Sequence, residues 1–600
     1  MASSLFRQNG AFGDGKWILW SLGLVPIAIL SFRIPELMTG VLAGLDDMMR
    51  LQQVRDLLAG QSWFDVDQAR LLTPEGGNMH WSRLPDLFLA GFILVMQPLV
   101  GQAAAEALAI AVWPLMLFAA VITLLCLIMQ RLGISRAGQV CALFFFFGSA
   151  ALFNFWPGRI DHHGLVAVLI MAGLAALLSR EFSARSGIIA ALCVCAALTI
   201  AIEALPYVVG LIALLGLFWV VRGHLEGVRL ASFGLALIVS ASLFLALDAP
   251  GLGDRRMVCD AYGTSHWAAL ASGGVLLTLL GVFGGWLASW PKRLVAGAVA
   301  AALTLGVFVA VNPACFGDPY AAVPDSVRAS WLSAVAEAQT LPQLLEDDLP
   351  RVLWVFGFLA TASLASVWMI VQAKPQERLG RIGVGLLLAL AIAATVWQLR
   401  GQSFSHLFAL IGAGWFAGER FEVWRSRQGV GPLLIFAAAA ILLSPLAWRS
   451  FGSATQPPVS EADAERESLS SECVAPENFV AMADLPKMRI HTPIDLGIPI
   501  LLRTPHDVFV GPYHRNVKGI ERANLVLIGA PDLAQQRLLD MGATHLAYCY
   551  RLGETNRYGN LWPESFAAQM NRGEIPDWLE PADELTETDG VVRLYRVTSE

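Results

Sequence analysis

The sequence predicts an α-helical polytopic membrane protein with about thirteen transmembrane helices and a small C-terminal α/β domain outside the membrane. Three observations predict it. The 600 residues are 56% hydrophobic and only 15% charged, with a mean hydropathy of +0.58, whereas an ordinary soluble domain carries roughly 25% charged residues. Apolar stretches of spanning length recur along most of the chain. From residue 449 onward that pattern stops, and charged residues and turn signals return.

In chain order, the polar MASSLFRQNGAFGDGK is followed by WILWSLGLVPIAIL with no small-residue cleavage site behind it, and reads as leading into an uncleaved first span at 17–33. Further spans are expected at 107–129, 137–156, 164–179, 187–202, 205–221, 228–248, 267–290, 294–312, 351–371, 382–399, 403–418 and 430–448. PDLFLAGFILVMQPLVG at 85–101 is also long enough, and charge decides its status. The connections QRLGISR (130–136), REFSAR (180–185), RGHLEGVR (222–229), KR (292–293), KPQERLGR (374–381) and ERFEVWRSR (419–427) hold most of the Lys and Arg outside the tail. If 85–101 does not cross, the N-terminus and all six connections share one side, which the positive-inside rule makes cytoplasmic. The 85–101 stretch then becomes an interfacial or re-entrant helix of the first outer loop.

This gives a membrane domain over 1–448 with outer loops 34–106, 157–163 and 313–350. A linker over 449–472 contains the acidic QPPVSEADAERESLSSE, and a soluble domain over 473–600 has short apolar runs such as NLVLIGA and THLAYCY. The expected setting is a bacterial inner membrane, N-terminus cytoplasmic and C-terminal domain periplasmic. A net charge of −7 without a basic block excludes nucleic acid as a partner; membrane lipids surround the chain. Cys126, Cys141, Cys193 and Cys195 fall within spans as packing residues. Cys259 with Cys315, and Cys473 with Cys549, are outer-face pairs that either form disulfides or remain free thiols.

The unusual polar residues also lie on the outer face. Asp46 and Asp47 follow the first span in GLDDMMRLQQVRDLLAGQ, Asp161, His162 and His163 occur in FWPGRIDHHGL, and Glu337 occurs in SWLSAVAEAQTLPQLL. Carboxylate oxygens with an imidazole nitrogen suit a divalent cation, Mg²⁺ or Mn²⁺. Asp161 and His163, two apart, can reach one ion, with Asp46 completing the set from another loop, while His162 between them points away. The alternative is that each group merely caps a helix or sits wet at the interface. Glu203, in TIAIEALPYVV, stands at the outer end of a span; an acid there is a functional suspect, but a loop-edge acid is commonly just solvated, and it stays outside the candidate set.

DDMMRLQQVRDLLAGQSWFDV, TPEGGNMHWSRLPDLFLA, PGRIDHHGL and AVAEAQ, in that order, resemble the motif blocks of oligosaccharyltransferase catalytic subunits, particularly the archaeal single-subunit type. Those proteins carry an aspartate after the first span, a YPxGxxxHWGPL-like block, a GxxDHH or related block and an SVSE-like or TIxE-like element. The resemblance implies a GT-C glycosyltransferase fold and transfer of a sugar or glycan from a polyprenyl-phosphate or pyrophosphate carrier. It implies that Asp46, Asp161 and His163 hold the divalent metal, and that Glu337 acts with Asp46 on the acceptor. His80 and Trp81 match the HW of the second block, Asp47 is an alternative to Asp46, and Arg400 stands near the slot of a phosphate-contacting arginine that Ser403 occupies here.

One block departs from the pattern. The family reads its acceptor peptide through WWDYG, and the best counterpart is PIDLG at 493–497, which keeps Asp495 and Gly497 but neither tryptophan. The expectation is therefore a donor half like the family's and an acceptor, whether lipid, glycan or protein, other than the N-x-S/T sequon. Two other readings are a true N-glycosylating enzyme that rebuilds peptide binding from other residues, and a flippase or transporter of lipid-linked sugars. Transporters place charges near the midplane, and here the acids crowd one face.

Overall fold

A computed structural model describes residues 41–72, 75–248, 257–317, 323–455, 472–582 and 591–599. The expected first span lies outside them, as does most of the acidic linker. The described chain forms two units, one from 111–317 and 336–455, the other from 41–110, 323–335 and 472–599.

The first unit is helical. Each of the twelve expected spans that fall on described residues coincides with helical chain, but the lengths vary more than hydropathy suggested. Among the described residues, six helical stretches are long and apolar enough to cross a membrane, or seven if the pair Val430–Leu442 and Pro445–Thr455, bent by 67°, is one span. One stretch, Ile202–Asp248, covers 47 residues and would be about 70 Å long if straight, over twice the hydrocarbon thickness. Gly223, with φ +63°, breaks it at the basic connection between Leu205–Arg222 and Gly227–Asp248. Expected span 137–156 is instead the helix Arg136–Phe146 followed by a 3₁₀ segment, Ala150–Phe155. Expected spans 164–179 and 187–202 are the short helices His163–Leu177 and Ala184–Ile200.

Close packing is set by small residues, as in helix association within lipid. Gly414 of the helix Gln402–Arg427 lies against Arg136–Phe146 so closely that a Cβ there would come 2.6 Å from the Ala142 side chain. The helices Thr264–Phe283 and Trp290–Val311 form a hairpin whose far ends are joined by a Cys259–Cys315 disulfide, Cα atoms 5.0 Å apart.

The second unit contains a five-stranded mixed sheet in the order Asp507–Val508, Arg489–His491, His545–Cys549, Val592–Val597, Leu579–Pro581. The first three strands run parallel and the last two pairings are antiparallel, which agrees with an α/β reading. Cys473 and Cys549 form its disulfide. The sequence reading placed the soluble domain at 473–600, and two membrane-domain loops join it here. Residues 41–110 attach by backbone hydrogen bonds from Leu72 N–H to Val508 O (2.7 Å) and from Val508 N–H to Arg70 O (2.9 Å), and by Arg55 and Arg70 donating to the Leu502 and Thr504 carbonyls. Residues 323–335 insert Val323, Val327 and Trp331 into a cluster with Ile494, Val510, Ile520 and Ala523. Residues 449–455 of the expected linker belong to the helix Pro445–Thr455.

The 85–101 stretch is the helix Leu84–Val100, and it belongs to this second unit. It buries Leu89, Ala90 and Ile93 and exposes Leu87, Phe88, Leu94, Val95, Leu99 and Val100. At its start, the carboxylate of Asp86 accepts from Arg50 (2.7 Å) and Arg83 (3.2 Å), all three side chains being fully buried. Burial of charges on this scale is tolerated because each is paired.

Candidate functional site

In the first unit the DHH segment is a turn rather than an extended strand. Gly158, at φ +94°, turns the chain, and the helix His163–Leu177 begins two residues after Asp161. Asp161 Oδ1 accepts from the His163 N–H at 3.1 Å, so one oxygen does cap the helix, as the alternative reading proposed. Its other oxygen, Oδ2, faces the Arg159 guanidinium at 2.7 Å and His163 Nε2 at 3.7 Å. Burial alone would raise the Asp161 carboxyl, but Arg159, then His163 and His162, hold it below its ordinary value.

Glu203, on the 3₁₀ turn Ile202–Ala204, receives the other ring nitrogen of His163, with Nδ1 2.6 Å from Oε1. This overturns its reading as a solvated acid, since its side chain is 16% exposed and engaged. It also corrects the reading of His162, whose Nε2 is 3.6 Å from the same oxygen and whose ring centre is 4.4 Å from that of His163. The turn at the helix start, unlike an extended strand, brings adjacent side chains to the same side. Burial would lower the His163 imidazole, but Glu203 and Asp161 push it up to about 10. His162 is lowered by burial and by the charge of His163.

Arg400 lies on the 3₁₀ turn Leu399–Gly401. Tyr207 stacks on Phe404, ring centres 3.9 Å apart, which joins the helices following the Glu203 and Arg400 turns. Arg400 Nη1 is 3.1 Å from Glu203 Oε2, and its Nε is 3.5 Å from Glu337 Oε2. Glu337 Oε1 is 4.0 Å from Arg159 Nη2. A hydrogen bond from Leu399 N–H to Gln339 O (2.9 Å) ties the Glu337 segment to the Arg400 turn. Ser403, in the family's arginine slot, accepts from Asn154 Nδ2 at 3.0 Å. Asp161, His163, Glu337 and Arg400 are thus brought together, with Glu203 and Arg159 added.

These residues fit a divalent cation. Two donors sharing an ion at about 2.1 Å stand roughly 3 to 4 Å apart, and Asp161 Oδ2 and His163 Nε2 meet that spacing. His162, His163 and Glu203 each offer a donor atom within 4.8 Å of the others. Glu203 on Nδ1 fixes the orientation of His163 and leaves Nε2 facing Asp161, the arrangement in which a carboxylate supports a metal-binding histidine from behind.

In the second unit, Asp46 and Asp47 sit in the first turn of the helix Leu45–Leu58, Asp46 half-buried and Asp47 fully buried. Trp81 packs edge-on to Tyr513 (5.4 Å) beneath the Arg50 guanidinium (4.8 Å), and the His80 and His514 rings are 4.4 Å apart. Asp495 opens the helix Ile494–Arg503. The Glu554 carboxylate accepts from the Ile494 and Asp495 N–H groups, each at 2.9 Å. Burial, then the charge of Asp495, pushes Glu554 up to about 8; Asp495 itself is raised by burial. Pro493 and Ile494 stand where WWDYG has its tryptophans, and Ile494 is a core residue. Gly497 lies against the Val510 carbonyl too closely for a Cβ.

No protein-family profile matches the chain, and no curated protein matches it by sequence. Solved structures do match. The oligosaccharyltransferase AglB of Archaeoglobus fulgidus, in complex with an inhibitory peptide and a dolichol-phosphate, aligns with a TM-score of 0.63 at 13% identity, over 94% of this chain and 72% of that one. The same archaeal protein tethered to an acceptor peptide containing the NVT sequon aligns with a TM-score of 0.61 at 13% identity, covering 93% and 72%. Its complex with Zn and sulfate gives 0.53 at 13% identity, covering 89% and 66%. The chain has the GT-C, oligosaccharyltransferase-like fold.

Proposed function

We propose that this protein is a membrane glycosyltransferase that takes a sugar or glycan from a polyprenyl-phosphate-linked or pyrophosphate-linked donor. The observation that carries the reading is the joint presence, in one cluster, of Asp161, His163 and Glu203 with the guanidiniums of Arg159 and Arg400. Asp161 and His163 are the ligands this unit would supply to Mn²⁺ or Mg²⁺, and the sequence blocks nominate Asp46, or Asp47, as a further one. A bound divalent ion supplies positive charge for the leaving phosphate. Arginines bind phosphate oxygens through their planar fork, and Glu337 with Asp46 orients the acceptor. AglB has been solved with a dolichol-phosphate, which supports a donor of that class.

The acceptor is proposed to be a lipid, a glycan or a differently recognised protein. Asp495 stays in the PIDLG block, but the aromatic walls flanking it are replaced by Pro493 and Ile494. His80 and Trp81 would support the first loop rather than touch substrate, since both pack on Tyr513 or His514. The proposed setting is the bacterial inner membrane with the site on its periplasmic side; a disulfide in each unit supports an oxidising side. Asp161→Asn and Asp46→Asn are the test. Each should abolish transfer from a lipid-linked donor and weaken Mn²⁺ binding while membrane insertion is retained; full activity in both defeats the metal-site assignment. A sequon peptide glycosylated by the purified protein would restore the N-glycosylation reading.

A further inference from the structure

Glu337 presents its two carboxylate oxygens to two different arginines. Oε1 is 4.0 Å from Arg159 Nη2 and Oε2 is 3.5 Å from Arg400 Nε. Each arginine also has a second carboxylate at closer range, Asp161 at 2.7 Å for Arg159 and Glu203 at 3.1 Å for Arg400. Those two partners are buried, with side chains 1% and 16% exposed, whereas Glu337 is 41% exposed. Each of the two guanidiniums is therefore oriented by one closer, less exposed acid and shares the more exposed Glu337 at longer range. Arg159 is further set by lying 4.7 Å above the Phe153 ring.

We propose that Arg159 and Arg400 form a two-guanidinium cradle for the phosphate of the lipid-linked donor, and that Glu337 occupies that cradle until the donor displaces it. A carboxylate held between two arginines matches the charge and the donor demand of one face of a phosphate. A phosphate offers more anionic oxygens and makes shorter charge-assisted bonds than contacts of 3.5 to 4.0 Å, so exchange favours it. Glu337 can leave because its ion pairs among the described residues are these two, at 3.5 and 4.0 Å. Its segment stays tethered to the Arg400 turn through Gln339 and Leu399, so the displaced carboxylate remains beside the site. The inference deepens the transferase reading and rests on it only for the identity of the anion.

The experiment uses the full-length protein in detergent with EDTA, so that no metal bridges the phosphate. The probes are farnesyl phosphate, farnesol as the same tail without charge, and inorganic phosphate. Arg159→Gln and Arg400→Gln should each weaken farnesyl phosphate binding by about tenfold or more, as expected for losing a charge-assisted pair. Glu337→Gln should tighten it severalfold, and farnesol binding should not move. Unchanged affinity in Arg159→Gln, or unchanged or weaker affinity in Glu337→Gln, overturns the cradle. If Arg159→Gln does not fold, Glu337→Gln decides alone in the same two directions. Inorganic phosphate binding as tightly as farnesyl phosphate overturns the lipid source. The predicted shifts without any sugar transfer leave the cradle standing and remove the transferase reading instead.

Discussion

The perturbation Glu554→Gln tests how the Asp495 block is held. Glu554 is 7% exposed and takes the first two N–H groups of the helix Ile494–Arg503 on its two oxygens. It titrates near 8 rather than 4.5. Below 4.5 the folded and unfolded chains both hold the proton. Between 4.5 and 8 the folded chain keeps a proton that the unfolded chain has lost, so stability falls as pH rises, and the loss is complete above about 8. Its upper bound is roughly 5 kcal/mol at about 1.4 kcal/mol per pH decade. Glutamine keeps one acceptor and turns a donor towards the other N–H, costing about 1 to 2 kcal/mol at pH 5, but it escapes the ionisation penalty. The two proteins should therefore converge and cross as pH rises. Hydrogen exchange of the 494–503 segment in the intact protein, corrected for intrinsic rate, reads this directly. Protection curves for wild type and variant that stay parallel from pH 5 to 9 would refute the reasoning.

Three further outcomes are expected. Glu203→Gln weakens the support of His163 and should lower Mn²⁺ affinity by about ten- to a hundredfold, read by calorimetry or by the EPR signal of free Mn²⁺; unchanged affinity removes Glu203 from the metal's surroundings. Asp86→Ala strands the buried Arg50 and Arg83 charges and should destabilise the second unit by about 3–5 kcal/mol, seen as faster proteolysis of its segments. Replacing Cys473 and Cys549 by serine opens a bridge between residues 76 apart, worth about 4.5 kcal/mol by chain entropy, and should lower the melting temperature of that unit without altering membrane insertion.

Legibility followed distance along the chain. Asp161 and His163 were readable as a pair because both fall within one turn. Glu203 lies forty residues on, and nothing in TIAIEALPYVV shows that helix packing will deliver it to His163 Nδ1. Arg159 was passed over beside more conspicuous histidines, although an arginine two residues before an aspartate at a turn is a signal of pairing. Glu554 is invisible from Asp495, since its role is to cap a helix 60 residues away. Spans were legible as apolar runs but not as helices of given length: 137–156 is apolar but for Gln139, Ser149 and Asn154, yet the helix ends at Phe146, near Gly148, which packs on the Leu446 backbone. The partition of the outer loops was hidden for the same reason, since hydropathy marks most of 41–110 as polar but does not show that Leu71 will bridge to the edge strand of a sheet.

That sheet carries a consequence for how the protein is made. The bridge from Leu71 to Val508 joins residues 437 positions apart. At a synthesis rate of about 5–20 residues per second, the first of them waits on the order of 20 to 90 s for the second. During that interval the Leu72 N–H, the Arg70 carbonyl and the Arg55 and Arg70 guanidiniums exist without their partners at Leu502, Thr504 and Val508. A truncated 473–600 segment would therefore emerge with the edge strand Asp507–Val508 open.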